Sequence, residues 1–171
     1  MEQTTPYDDD RAAYTRHALA RLVLADHATD VADAAAGLVG TRNDADTGPG
    51  GRAGQARQLV ELAEQVLASA VVHEVERGSS WAEIGHYLGI GANEARERFA
   101  PALKGWDTAF EEPYRLDTTG RKRIPQLPTA AYDPASACRR LDLWAFLHLT
   151  GVNDRNAVSA ALLTTDGGPD A

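Results

Sequence analysis

The sequence predicts an all-α protein, and three observations carry that expectation. Apolar residues recur at helical spacing through three long stretches, 6–39, 53–77 and 134–149. Between the last two lies SSWAEIGHYLGIGANEARERFAPALK, Ser79 to Lys104, which reads as two short helices joined by a tight turn at Leu88-Gly89-Ile90-Gly91. A hairpin signal is placed at one turn, Asp117-Thr118-Thr119-Gly120. At 171 residues, 43% hydrophobic and 25% charged, the chain can bury a proper core and has the balance of a soluble globular protein.

The first helix opens at Thr5-Pro6-Tyr7-Asp8. Thr5 caps, Pro6 suits the first helical position, and Asp8 to Asp10 favour the positive end of the dipole. The pattern runs to about Val39, with Gly40 as the stop. Tyr14, Ala18, Leu22, Ala25, Ala32 and Val39 form its inner stripe, with Leu19 and Val23 beside them. Arg11, Arg16, Arg21, Asp26, Asp30 and Asp33 form a charged outer face that reads as solvated. The Ala-rich seam also suits close approach of a second copy, hence a homodimer. Thr41 to Arg52 reads as a mobile loop with four Gly or Pro residues. A second helix spans about Ala53 to Arg77 and stops at Gly78. Leu59, Leu62, Ala63, Val66, Leu67, Ala70, Val71 and Val75 make its buried stripe, and His73 reads as a satisfied core histidine.

That helix leads into a capping box, Ser80 with Glu83 three residues on. Ile84 and Leu88 face inward from the next helix, and Gly85 is the small residue at the crossing. Gly89 makes the turn, where the backbone goes left-handed; Ile90 plugs the gap beneath it; Ala95 and Phe99 face inward from the following helix. Gly91 serves as its N-cap, and Pro101 ends or kinks it. SWAEIG-x-x-LGI followed by A-x-x-RF resembles the helix-turn-helix of many actinobacterial DNA-binding regulators, and is similar to the sigma-factor region that reads promoters. The resemblance covers about 25 of the 171 residues. It implies a tri-helical unit in which Ala92 to Phe99 enters the major groove. Family members usually carry Ser at the position of Gly91, and polar or basic residues at those of Ala92 and Asn93. Asn93 suits adenine, and Arg96 suits guanine or a phosphate; Glu94 and Glu97 repel phosphates unless they point away or accept from cytosine. From Arg77 to Lys104 four basic residues face three acidic ones, a net of +1. The fold signal is therefore stronger than the DNA-binding signal.

After Pro101, Gly105-Trp106 and Phe110 read as hydrophobic plugs. The turn at Asp117 joins Tyr114-Arg115-Leu116 to Arg121-Lys122-Arg123-Ile124. Arg115, Arg121, Lys122 and Arg123 against Asp117 give a local net of +3, the most basic patch of an acidic chain. It reads as a β-wing on the DNA backbone, an extended arm in the minor groove, or a solvated loop. Asp133-Pro134 opens a helix to about Leu149. Cys138, Leu141, Trp144, Ala145 and Leu149 mark its apolar face, which Leu143, Phe146 and Leu147 widen. Asn153 is placed to cap a last short helix carrying Ala157, Val158, Ala161 and Leu162.

The resulting division is an N-terminal packing or dimerisation helix, 1–40; a flexible loop, 41–52; a helix-turn-helix domain, 53–104; a basic wing or arm with linker, 105–133; a C-terminal helical segment, 134–163; and a disordered tail, 164–171. Nothing approaches the roughly 18 consecutive apolar residues of a membrane span, and the acidic opening MEQTTPYDDD does not read as a secretion signal. One cysteine, Cys138, allows no intrachain disulfide and fits a reducing cytoplasm. No phosphate loop, HExxH or paired-cysteine zinc pattern is present, so no enzyme, cofactor or metal is expected. The net charge of −8 argues against a non-specific nucleic-acid coat but allows a local basic face. The expectation is a cytoplasmic, nucleoid-associated, homodimeric regulator of double-stranded DNA. Ala92, Asn93, Arg96, Arg98 and Lys104 are its contacts on the recognition helix, and Arg115, Arg121, Lys122 and Arg123 those on the wing. The alternative is a helix-turn-helix scaffold that binds another protein. A DNA binder needs its basic residues on one face; an interaction module has an apolar or acidic patch there.

Overall fold

The computed structural model describes residues 5–41 and 46–162. The tail expected at 164–171 and the middle of the loop at 42–45 lie outside the described residues. The chain is mostly helical: α1 (Pro6–Ala12), α2 (Arg16–Val39), α3 (Gly51–Glu76), α4 (Trp81–Leu88), α5 (Ala92–Glu111), a hairpin of β1 (Tyr114–Leu116) and β2 (Arg123–Pro125), then α6 (Thr129–Tyr132), α7 (Pro134–His148) and a short 3-10 turn at Ser159–Ala161.

The helix expected from Thr5 to Val39 is two helices. Thr15 adopts an extended conformation, and its hydroxyl accepts from the Ala18 amide at 3.0 Å, so a second N-cap restarts the helix. At the first start, the Thr5 amide and hydroxyl donate to the Asp8 carboxylate at 2.7 and 2.5 Å. Pro101 does not end α5, which continues to Glu111. Pro101 is exposed, so the carbonyl that loses its amide partner lies toward solvent, where the cost is small. Trp106 and Phe110 are thus inward residues of one helix, in edge contact at 4.8 Å, and do not fold back as plugs.

The main core joins α2 (Leu19, Leu22, Val23), α5 (Trp106, Ala109), Leu127, α6 (Ala130, Ala131) and α7 (Cys138, Leu141). Leu19, Leu22 and Leu141 are fully buried, each contributing about 1.5–3 kcal/mol over the exposed state. Glu76 at the end of α3 knits three helices together. Its Oε1 accepts from the Trp106 indole at 2.8 Å and from Arg16 of α2 at 2.6 Å; Arg16 also reaches Asp107 at 2.6 Å. Arg16, Asp26 and Asp33 were expected on a solvated face. Instead Asp26 pairs with Arg140 at 2.6 Å, and Asp33 accepts from the Trp144 indole at 3.0 Å, which fastens α7 along α2.

Beyond this core, α2 and α3 run on as a two-helix arm. None of Asp30–Val39 and none of the described residues of α3 before Ser69 is buried, and Val39 is 79% exposed. The stripes expected at Ala32, Val39, Leu59, Leu62, Ala63 and Val66 are therefore half-buried or exposed, because two helices alone cannot enclose them. On α7, Leu143, Phe146 and Leu147 are exposed as well, as is Leu149 just beyond its end. Asn153 caps nothing. The amides of Val158 and Ser159 donate instead to Asp142 of α7, at 2.7 and 3.0 Å.

Candidate nucleic-acid interface

Three helices meet around a second, smaller core of Val71 from α3, Ile84 from α4 and Phe99 from α5, flanked by Leu67, Val75, Trp81 and Leu88. The Ser80 hydroxyl accepts from the Glu83 amide, and the Glu83 carboxylate accepts from the Ser80 amide and hydroxyl, both at 2.7 Å. Those bonds hold the Glu83 carboxyl below its usual pKa. Gly89 takes the left-handed conformation, φ 69°, and closes α4. Gly85 lies where α4 meets the turn: a Cβ there would stand 2.8 Å from the Ile90 carbonyl oxygen and 3.3 Å from the Ala92 nitrogen. Ala95 is fully buried and Phe99 nearly so, so the inward face of α5 is fixed.

That fixes the outward face too. At 100° per residue, Asn93, Glu97, Ala100 and Lys104 lie opposite the buried side. All four are exposed, while Ala92 at the helix start is half-buried. Arg96 and Arg98 are both exposed but point to opposite flanks of α5. Arg98 lies over the Phe99 ring, 5.2 Å from its centroid. Arg96 and Lys104 border a shallow groove shared with Val75, Trp81, Asp107 and Glu111. Along the whole helix three basic residues face four acidic ones, a net of −1.

The basic segment forms an antiparallel hairpin, with Arg115 opposite Ile124 and Leu116 opposite Arg123. The second strand begins at Arg123, so Arg121 and Lys122 belong to the turn. Asp117 organises that turn by accepting from the amides of Thr119, Arg121 and Lys122 at 3.1–3.2 Å. With the Thr119 hydroxyl as the largest contributor, these bonds lower its carboxyl pKa. Arg115, Arg121 and Lys122 are exposed and form no ion pair among the described residues. Arg123 differs from the wing contact expected. Its guanidinium lies 3.9 Å from the Tyr114 ring centroid and 3.8 Å from Asp8, and donates to the Thr5 hydroxyl at 3.5 Å. It fastens the hairpin to α1.

Two features escaped the sequence reading. Tyr87 on α4 is 89% exposed beside an apolar groove of about 850 Å³ between α3 and α4. Position 87 lies three residues after Ile84, on the flank of the inward face, so helical spacing alone did not signal its exposure. His73 is buried, stacks on His17 at 4.8 Å, and its Nδ1 has no partner among the described residues, so it is not the satisfied histidine expected. Burial, then the adjacent His17, lowers its pKa. Cys138 is buried with the Tyr14 hydroxyl 3.6 Å from its sulfur; burial raises its thiol pKa, which disfavours a thiolate nucleophile. Among the described residues no group of three or more His, Cys, Asp or Glu could hold a metal ion. None of their helices is long and apolar enough to cross a membrane. Comparison with known protein families, curated proteins and solved structures finds no match.

Proposed function

We propose that α3, α4 and α5 form a helix-turn-helix unit and that the protein is a sequence-specific, homodimeric DNA-binding regulator acting in the cytoplasm. The observation that carries this reading is the close crossing at Gly85, which seats α5 on α4 and leaves the outer face of its first turns open. Ala92 at the helix start approaches the major groove, and Asn93 and Arg96 read base edges. Lys104 and Arg98 hold phosphates, the latter from the opposite flank of the helix. Arg115, Arg121 and Lys122 grip the backbone from the hairpin, while Arg123 positions that hairpin from within. The exposed apolar residues of α7 and of the arm offer area for a second copy.

A second reading, a scaffold that binds another protein, is favoured by the net charge of −1 on α5 and by the apolar groove beside Tyr87. Selection from random duplex DNA at two salt concentrations separates the two. The DNA reading expects an enriched motif. Five phosphate-contacting side chains would make log K fall against log salt with a slope of about −4 to −5 per protomer. Absence of enrichment, with no retention even at low salt, would sink it in favour of the scaffold.

A further inference from the structure

A cleft of about 300 Å³ opens between α2, α3, α5 and the segment that follows β2. That volume is at the lower end of what small-molecule sites occupy, roughly 300–1,000 Å³. Its walls are mainly small apolar residues, with the Trp106 ring on one side. Among the described residues no Asp, Glu, Lys or Arg lines it, so the walls offer a charged occupant no fixed counter-ion. Its polar groups are His27, Ser69 and Gln126. The Ser69 hydroxyl donates to the Gln65 carbonyl at 2.9 Å, so in its 2.7 Å contact with His27 the serine oxygen accepts from Nδ1. When the ring carries its single proton on Nδ1, Nε2 is left as an acceptor. The Gln126 amide nitrogen donates to the carbonyls of Ile124 and Pro125 at 3.3 and 3.4 Å, which leaves Oε1 as an acceptor. The groups left over are therefore acceptors. Gly105 shapes the rim of the cleft. It stands in the interior of α5, where glycine weakens a helix, and a Cβ there would meet nothing within 4 Å. Gly105 is itself exposed, so the missing side chain relieves no crowding and leaves the solvent-facing rim of the cleft open.

We propose that this cleft is a binding site for a neutral, largely apolar small molecule that carries a hydrogen-bond donor. It would take such a ligand whether or not α5 meets DNA. The test is titration of the whole chain with three probes that share one apolar body: 4-propylphenol, propylbenzene and 4-propylbenzoate. Binding is followed by ¹H–¹⁵N spectra at the Trp106 indole and at the amides of Gly105, Ala109 and Gln126. The phenol is expected to shift these signals saturably, with a Kd on the order of 0.1–1 mM for so small a probe. Loss of the donor should weaken propylbenzene roughly tenfold, and the carboxylate should not bind. Gly105→Leu and Ala68→Leu fill the cleft from two different helices; whichever variants keep the parent circular dichroism should lose the phenol. Equal binding of all three probes, no saturable shift from the phenol, or shifts that survive in a folded filling variant would overturn the assignment.

Discussion

Replacing Gly85 with alanine tests the α4–α5 crossing directly. The new methyl carbon would stand 2.8 Å from the Ile90 oxygen, 3.2 Å from the Gly91 carbon and 3.3 Å from the Ala92 nitrogen. All three are backbone atoms, so no side chain can swing aside. Overpacking of this kind costs about 1–3 kcal/mol. The Ile90 amide also donates to the Gly85 carbonyl at 3.0 Å, and straining that bond adds up to about 1 kcal/mol. Alanine's better helix propensity returns about 1 kcal/mol. The balance is a loss of up to about 3 kcal/mol, or a Tm lower by up to about 12 °C in a chain of this size. Gly105→Ala is the matched control, since its methyl group enters open space; it should gain up to about 1 kcal/mol and raise Tm by about 2–4 °C. Scanning calorimetry of the two variants reads the opposite signs. If both glycines gained equally, the close crossing would be refuted, and with it the main support for the helix-turn-helix reading.

Glu76→Ala strands the buried Trp106 indole without an acceptor and removes the ion pair to half-exposed Arg16, a loss of about 2–4 kcal/mol by urea unfolding. Glu76→Gln keeps an acceptor oxygen and should lose about half as much. His73 has a pKa below the 6.5 of a free histidine, so the unfolded chain binds more protons as pH falls. Its neutral ring therefore stabilises fully above pH 6.5, and that contribution is lost as pH drops below it. Melting scans between pH 7.5 and 5 should show this decline, and His73→Phe should flatten it. On the hairpin, Arg121→Ala with Lys122→Ala should leave Tm unchanged and reduce the salt slope of DNA binding by about 2. Arg123→Ala should instead lower Tm by loosening the hairpin from α1; a purely salt-dependent effect on DNA would contradict its inward placement.

Legibility in the sequence followed the range of the physics behind each signal. Ser80 with Glu83, Gly89 and the inward set Ile84, Ala95 and Phe99 were readable because caps, left-handed turns and helical periodicity act within a few residues. The hairpin turn at Asp117 was readable for the same reason. Thr15 was missed because nothing local distinguishes a capping threonine from one on a helix surface; what matters is that Ala18–Val23 must turn into the core. That α5 would continue past Pro101 was not readable, because the cost of an interior proline depends on whether the freed carbonyl faces solvent, which is a tertiary fact. The roles of Arg16, Asp26, Asp33 and Arg123 were equally hidden, since each is set by a partner far along the chain. Of the candidate contacts, the opposite flanks of Arg96 and Arg98 follow from their two-residue separation on a helix, whereas the inward attachment of Arg123 does not.

The uninterrupted course of α5 gives the two proposals a common mechanical basis. Its first turns carry Asn93 and Arg96, its middle lines the cleft with Ala102, Gly105 and Trp106, and its end feeds the hairpin. Twenty residues at the helical rise make a rod of about 30 Å. A tilt of about 10° imposed near the middle moves each end by about 2–3 Å. That is close to the length of a hydrogen bond, so contacts with base edges would be broken by it. Because α5 continues past the proline, one helix carries the residues proposed to meet DNA, a wall of the cleft and the base of the basic hairpin, so a molecule in the cleft would sit between the two proposed contact regions.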